Sequence, residues 1–116
     1  MQLTENFSRG GSLKIIAELR WLSPEEGGRQ QPPPNGGTRY STLSRFAQET
    51  DEQHRKEAWS LIVDLLEPAN AAGVQRGYVR FLSEKGPSEW LVPGARFAMY
   101  EGTRKVLEGL VLHCSD

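Results

Sequence analysis

The chain has 116 residues, 37% of them hydrophobic, with 14 basic and 15 acidic side chains and a formal net charge of −1. This length supports one hydrophobic core but not two, and the near-neutral charge differs from the basic excess usual in dedicated nucleic-acid binders. Glycine and proline, with 12 and 7 residues, exceed their usual combined share of about 12%, which favours a loop-rich all-β domain over a helical bundle.

The first third of the chain predicts a leader, a strand and a long loop. Residues 1–12 are polar and aperiodic, so we expect a disordered leader followed by a single domain over residues 13–116. Residues 13–22 alternate as a half-buried strand does. Its inward face would hold Ile15, Ala17, Leu19 and Trp21. Residues 23–37 contain three consecutive prolines, and we expect an exposed loop that is locally stiff, of a kind that often carries function.

Three more strands are predicted in the middle of the chain, over residues 38–48, 58–66 and 77–83. Their predicted inward residues are Tyr40, Thr42, Ser44, Phe46, Trp59, Leu61, Val63, Leu65, Val79 and Phe81. Residues 49–57 are densely charged and have no apolar anchor. We therefore expect an exposed loop or one helical turn there, with His54 solvated.

The last predicted unit is a hairpin over residues 90–112. A turn at Pro93-Gly94 precedes a strand with Phe97 and Met99 on one face. A tight turn at Glu101-Gly102-Thr103 then leads into a second apolar strand over residues 105–112. About six short strands separated by turns, without a long helix, indicate a β-sandwich or a closed barrel.

The motifs that commonly mark catalysis or cofactor binding are absent from this sequence. It has no phosphate-binding loop, dinucleotide-binding glycine motif, nucleophile elbow or Cys/His cluster with zinc spacing. The adjacent carboxylates Glu25 and Glu26 lack the burial and fixed separation that tune a catalytic pair. We therefore predict a protein that is not an enzyme and binds no cofactor, metal or nucleotide.

The cellular compartment is predicted from what the chain lacks. The single cysteine, Cys114, cannot form an internal disulfide, and no stretch approaches the ~18 consecutive apolar residues of a membrane span. The N-terminus also lacks the basic-then-apolar layout of a signal peptide. We expect a cytoplasmic protein with no membrane contact and with Cys114 as an inert thiol.

Two sets of side chains are candidates for binding. Six cations lie near the glycine-rich loop and the final hairpin: Arg29, Arg39, Arg45, Arg96, Arg104 and Lys105. If the fold brings them together they form a cationic patch suited to phosphates; otherwise they are scattered charges paired with nearby acidic groups. Four apolar residues fall on outward positions of two strands, as at a protein interface: Ile62, Leu66, Tyr78 and Leu82.

Two segments carry a family resemblance: Ser23-Pro-Glu-Glu-Gly-Gly-Arg-Gln-Gln-Pro32 and Gly94-Ala-Arg-Phe-Ala-Met-Tyr-Glu-Gly-Thr-Arg104. They resemble, in order and separation, motifs near the two ends of the third, C-terminal domain of bacterial elongation factor Tu, over about residues 13 to 113. The resemblance implies a six-stranded closed antiparallel β-barrel. Two tRNA-facing positions of the family fall on Arg29 and Gly102, whereas Gln30 replaces a usual histidine and Arg39 matches only with a one-residue shift.

The resemblance and the residues together predict a non-catalytic binding module. We expect it to act on another protein or to self-associate; the alternative is an RNA-binding module, of the tRNA type, that works in translation. The near-neutral charge ranks RNA second. The predicted binding surface consists of Glu25, Glu26, Arg29, Gln30, Arg39, Gly102 and Arg104.

Overall fold

Six strands form one closed antiparallel barrel in a computed structural model that describes residues 14–115. The predicted leader over residues 1–12 lies outside that range. The strands are β1 Lys14–Trp21, β2 Arg39–Phe46, β3 Ser60–Leu65, β4 Val74–Phe81, β5 Arg96–Glu101 and β6 Arg104–Ser115. Around the barrel their order is β1-β4-β3-β2-β5-β6. The all-β fold and the closed six-stranded antiparallel barrel are therefore confirmed, and the sandwich alternative is excluded.

The helical content is small. Within residues 14–115, one short helix, α1, spans Asp51–Lys56, and two 3-10 turns cover Pro24–Glu26 and Ser88–Trp90. Among the described residues, no helix has the length and apolar character needed to cross a bilayer.

The barrel interior is filled by the side chains that alternation placed inward. The buried members of that set are Ala17, Leu19, Trp21, Ser44, Phe46, Leu61, Val63, Leu65, Val79, Phe81, Phe97 and Met99. The ring of Phe46 lies at the centre of an aromatic cluster, with centroid distances of 5.3 Å to Phe97, 5.5 Å to Trp90 and 5.7 Å to Phe81. Such tilted aromatic contacts add packing energy beyond the burial of area.

Two strand boundaries differ by three residues from the predicted ones, and the others differ by less. β4 begins at Val74 instead of residue 77, and β6 continues to Ser115 instead of ending at residue 112. The missed part of β4 precedes Gly77, which interrupts the apolar pattern. Gly77 pairs with Leu65 and has no room for a side chain, because a Cβ there would lie 2.7 Å from a methyl group of Val63.

Residues 49–57 form the predicted helical turn, but two of their side chains are placed differently from the prediction. The side chain of Glu49 is only 1% exposed and accepts the backbone N–H of Phe46 at 3.1 Å. Nδ1 of His54 lies 3.2 Å from the other oxygen of that carboxylate. The expectation of a solvated His54 in a segment without a buried anchor is therefore wrong, because a buried polar anchor replaces the apolar one.

The predicted outward apolar patch is not assembled. Ile62 is only 5% exposed. The N–H of Leu66 bonds to Arg76 and that of Leu82 to Ser60, so these two exposed leucines lie at opposite ends of the β3–β4 pair. The expectation of a contiguous apolar surface at these positions is wrong. Leu66 follows the end of β3 and Leu82 follows the end of β4, and in an antiparallel pair these two strand ends lie far apart.

Candidate binding site

The loop over residues 23–37 closes one end of the barrel, here called the loop end. Its first half is fixed by a capping box: Oγ of Ser23 accepts the N–H of Glu26 at 3.3 Å, and the carboxylate of Glu26 accepts the N–H of Ser23 at 2.9 Å. Gly27 then reverses the chain at a φ of +91°. At Gly28 a Cβ would lie 2.1 Å from the carbonyl oxygen of Leu22, so only glycine fits.

The second half of the loop is held by a glutamine inside the barrel. Gln75 is fully buried, and its amide nitrogen donates to the carbonyl oxygens of Glu67 at 2.6 Å and Pro34 at 3.3 Å. Its side-chain oxygen accepts the indole N–H of Trp21 at 2.6 Å. Prolines supply no N–H for a backbone ladder, so a side chain fixes this segment to the barrel.

Arg29 lies between two aromatic rings at the loop end, with a side chain only 17% exposed. Its guanidinium carbon is 5.2 Å from the ring centroid of Trp21 and 5.6 Å from that of Tyr40, within cation–π range. Nε lies 3.7 Å from Oε2 of Glu101, and the Tyr40 hydroxyl donates to the same oxygen at 2.5 Å. Nη1 is buried and has no hydrogen-bond partner among residues 14–115.

The hydroxyl of Tyr40 has a perturbed acidity. Burial raises the pKa of Tyr40 well above its usual value, and the hydrogen bond to the Glu101 carboxylate raises it further. The phenol is therefore a stable hydrogen-bond donor at neutral pH, which keeps Glu101 in place beside Arg29.

A cavity of about 360 Å³ lies beside Arg29, between the 23–37 loop and the turn that precedes β4. Its lining includes small or rigid apolar side chains: Pro24, Pro32, Pro33, Ala71 and Ala72. Glu26 and Arg29 are the charged residues of that lining, and Gln30 and Gln31 are also part of it.

A larger cavity of about 490 Å³ lies at the opposite end of the barrel. Its rim includes Lys14, which adjoins residues outside the described range. Three of the cationic residues singled out in the sequence, Arg45, Arg96 and Lys105, instead border a shallow depression of about 260 Å³ on the outer wall. The loop-end cavity is thus the concave site that contains residues of the predicted binding surface.

Four residues of the predicted surface belong to the 23–37 loop, but they play different roles. Arg29 and Gln30 line the cavity. Glu26 also lines it, while its carboxylate makes an ion pair with Arg20 at 3.1 Å. Glu25 is exposed in the same 3-10 turn and does not reach the cavity lining.

The structure also brings the final hairpin to this loop. Nη1 of Arg104 donates to the carbonyl oxygen of Gly28 at 3.3 Å, close to the Arg29–Glu101 pair. Gly102 forms the exposed turn between Glu101 and Arg104, with a φ of +64°. The two segments that carried the family resemblance therefore touch each other.

The predicted cationic patch does not form as one surface. Arg39 points to the outer wall, where its Nε and Nη2 bond to the carboxylate of Asp64 at 2.6 and 3.2 Å. Arg45 lies at the other end of β2, and its Nη2 is 2.8 Å from Asp51. The hypothesis of dispersed, paired charges describes these two arginines.

Several residues of the site were missed in the sequence. Gln75 was not predicted as a site residue because the predicted β4 begins after it. The alternation of Val79 and Gly77, extended backward by two residues, places residue 75 inside the barrel. Ala71 and Ala72 carry no chemical signal, and only the fold places them opposite Pro32 and Pro33.

Among residues 14–115, no cluster of three or more His, Cys, Asp or Glu side chains is arranged to hold a metal ion.

Comparison with family models and with curated proteins identifies no relative of this chain. A scan against models of known protein families finds no match, and a search of curated proteins finds none either. The resemblance to the third domain of elongation factor Tu therefore stays a prediction, and what is established is the closed barrel.

Proposed function

We propose that this chain is a non-catalytic binding module that recognises another protein with the loop-end cavity. The observation that carries the proposal is that both halves of the 23–37 loop are hydrogen-bonded to the barrel, at Gly28 through Arg104 and at Pro34 through Gln75. A surface ordered before binding avoids the entropy cost of ordering a loop on contact.

The chemistry of the cavity supports a protein ligand. Its proline and alanine walls are apolar and lose little side-chain entropy on contact, while Gln30 and Gln31 supply adaptable hydrogen bonds. A volume of about 360 Å³ accommodates a short segment of a partner. The proposed interface is therefore a groove for a protein segment and not a broad flat contact.

RNA binding has less support from the arrangement of the arginines. The side chain of Arg29 is mostly buried and lies beside Glu101, and that of Arg39 is paired with Asp64. Of the arginines in the predicted surface, Arg104 is the one with no carboxylate partner among the described residues. Because RNA affinity grows with the number of phosphates neutralised, the two remaining cations, Arg104 and the mostly buried Arg29, support little binding.

The experiment is affinity capture from nuclease-treated lysate with three purified proteins. Ala72→Arg places a long cationic side chain in the cavity, and Ala58→Arg places the same charge at an exposed position outside the cavity lining. We expect a protein that the wild type and Ala58→Arg both retain and that Ala72→Arg loses. The resemblance makes proteins of the translation machinery the first candidates to identify.

The same three proteins test the RNA alternative. A filter-binding titration with tRNA at low salt, repeated at rising salt, would show a steep loss of affinity if phosphates are bound. Two results together would contradict the proposal and favour the alternative. The wild type and Ala72→Arg would both bind tRNA tightly and in a salt-sensitive way, and no protein would be retained by the wild type and lost by Ala72→Arg.

A further inference from the structure

The guanidinium of Arg29 has donors that the described protein does not use. Nε faces Glu101, whereas Nη1 is buried without a hydrogen-bond partner among residues 14–115. Buried donors in folded proteins are almost always paired, since an unpaired buried N–H is costly. Nη1 itself has no accessible surface, but Arg29 is part of the cavity lining and its side chain is 17% exposed, so an acceptor in the cavity would reach this side chain at its exposed part.

The charge balance of the cavity also points to a negative group. Glu26 is neutralised by Arg20 at 3.1 Å. The counter-charge of Arg29 is weaker: Glu101 lies 3.7 Å from Nε, beyond the roughly 2.7–2.9 Å of a charge-assisted hydrogen bond. The same Glu101 oxygen already accepts the hydroxyl of Tyr40. Arg29 is thus the incompletely compensated charge of the cavity.

We infer that the cavity accepts a partner segment whose aspartate or glutamate side chain bonds to the Arg29 guanidinium. This inference rests on the proposed function and specifies the chemistry of the partner. A carboxylate matches the planar donor geometry of arginine better than a neutral acceptor does. Small apolar residues on either side of that acid would pack on Pro32, Pro33 and Ala72. The occupant is an extended acidic-apolar peptide.

The test is a peptide selection followed by affinity measurements. A phage-displayed library of random peptides is selected on the full-length chain, and the recovered sequences are synthesised and titrated by fluorescence anisotropy. We expect the recovered peptides to share an aspartate or glutamate. Replacing that acid by its amide should weaken binding about tenfold or more, as expected for loss of a charge-assisted bond.

Protein variants locate the contact. Ala72→Arg should abolish binding, and Ala58→Arg should leave it unchanged. In Arg29→Met the acidic peptide and its amide should bind equally, which places the acid on Arg29. Circular dichroism and thermal unfolding check each variant. Arg29→Lys keeps the charge and loses the planar fork, so it should retain part of the preference even if Arg29→Met does not fold.

Three outcomes would overturn the inference: recovered peptides without a common acid, equal binding of acid and amide by the wild type, or no recovered peptide that Ala72→Arg excludes. Peptides that Ala72→Arg excludes but that need no acid would overturn the inference and leave the proposed function standing. The lysate capture decides separately whether the cavity has a protein partner.

Discussion

The indole N–H of Trp21 donates to the side-chain oxygen of Gln75 at 2.6 Å, inside the barrel at the loop end. The amide nitrogen of Gln75 continues the chain of hydrogen bonds to the carbonyl oxygens of Glu67 and Pro34. One buried side chain therefore joins β1, β4, the segment after β3 and the proline run. The barrel core ends there in a polar group that also fixes the cavity wall.

Replacing Gln75 by alanine should destabilise the protein strongly. The change leaves the indole N–H of Trp21 and the carbonyl of Glu67 without partners and opens a void where a fully buried side chain was. Together these effects should cost roughly 3 kcal/mol of unfolding free energy. Urea denaturation followed by tryptophan fluorescence measures the loss.

Gln48→Ala is the matched control for this change, because Gln48 is an exposed glutamine in a turn. Its effect should stay within about 0.5 kcal/mol. Equal stabilities of Gln75→Ala and Gln48→Ala would show that the buried hydrogen bonds contribute nothing net.

The second prediction concerns alkaline pH. Burial and then the hydrogen bond to Glu101 raise the pKa of Tyr40, so the folded state keeps this phenol protonated where the unfolded state loses the proton. Stability contributed by this site is present below the unfolded pKa of about 10 and is lost as pH rises above it. Denaturation between neutral pH and strongly alkaline pH should show a steeper loss for the wild type than for Tyr40→Phe.

Glu101→Gln separates the two causes. The Tyr40 phenol stays buried in this variant but loses its carboxylate neighbour, so its pKa should fall part of the way toward the usual value. Ultraviolet titration of tyrosinate, with Tyr40→Phe subtracted, follows that phenol. Parallel stability–pH curves for the wild type and Tyr40→Phe would refute the prediction.

Period-two alternation made the barrel predictable, because each inward residue of β3, such as Leu61 or Val63, falls on a regular pattern. The site was less predictable. Arg29 and Glu101 are far apart in sequence, and their contact depends on which strands close the barrel. Local composition also misplaced Glu49, since a charged residue in a charged segment gives no sign of burial. Alternation predicts which residues of a strand point inward, but it predicts neither long-range strand pairing nor buried polar contacts.

The third prediction concerns acid. Side-chain hydrogen bonds from Arg39 lower the pKa of Asp64, and those from Lys105 and then Arg20 lower that of Glu108. A carboxylate whose pKa is lower in the folded state than in the unfolded state stabilises the protein at pH values above its unfolded pKa, which is near 4. That stability is lost as the pH falls through the folded pKa. Unfolding free energy should therefore decrease steadily from about pH 5 downward.

Asp64→Asn tests one of these sites. The variant should be less stable than the wild type at neutral pH, and the difference should shrink as acid protonates Asp64 in the wild type. Glu25→Gln is the control, because Glu25 makes no ion pair among the described residues. A gap between Asp64→Asn and wild type that stays constant down to the lowest pH would contradict the assignment.

The fourth prediction concerns the buried carboxylate of Glu49. Glu49→Ala leaves the N–H of Phe46 without its side-chain acceptor and removes the contact with His54, so it should cost about 2 kcal/mol. Glu49→Gln keeps an acceptor oxygen and should cost less. Glu52→Ala, at a side chain 73% exposed on α1, should be nearly neutral. Urea denaturation at neutral pH ranks the three, and equal effects of all three would rule out a structural role for Glu49.

The last prediction compares two glycines in the final hairpin. A Cβ at Gly109 would lie 2.2 Å from Cζ of Phe97, whose buried ring packs against Phe46, so Gly109→Ala must displace that ring. A Cβ at Gly102 meets nothing within 4 Å, and its φ of +64° is the remaining obstacle. Overpacking at Gly109 should cost about 3 kcal/mol, whereas the left-handed conformation at Gly102 should cost about 1 kcal/mol.

Both substitutions restrict the unfolded chain equally, so the difference in unfolding free energy reports native-state effects alone: the overlap with Phe97 at Gly109 against the left-handed strain at Gly102. Adding Phe97→Leu to Gly109→Ala should recover part of the loss, because the shorter side chain makes room for the new methyl group. The same addition to Gly102→Ala should only destabilise. If Gly109→Ala is no more costly than Gly102→Ala, the ring of Phe97 does not lie across β6 in solution as it does in this structure.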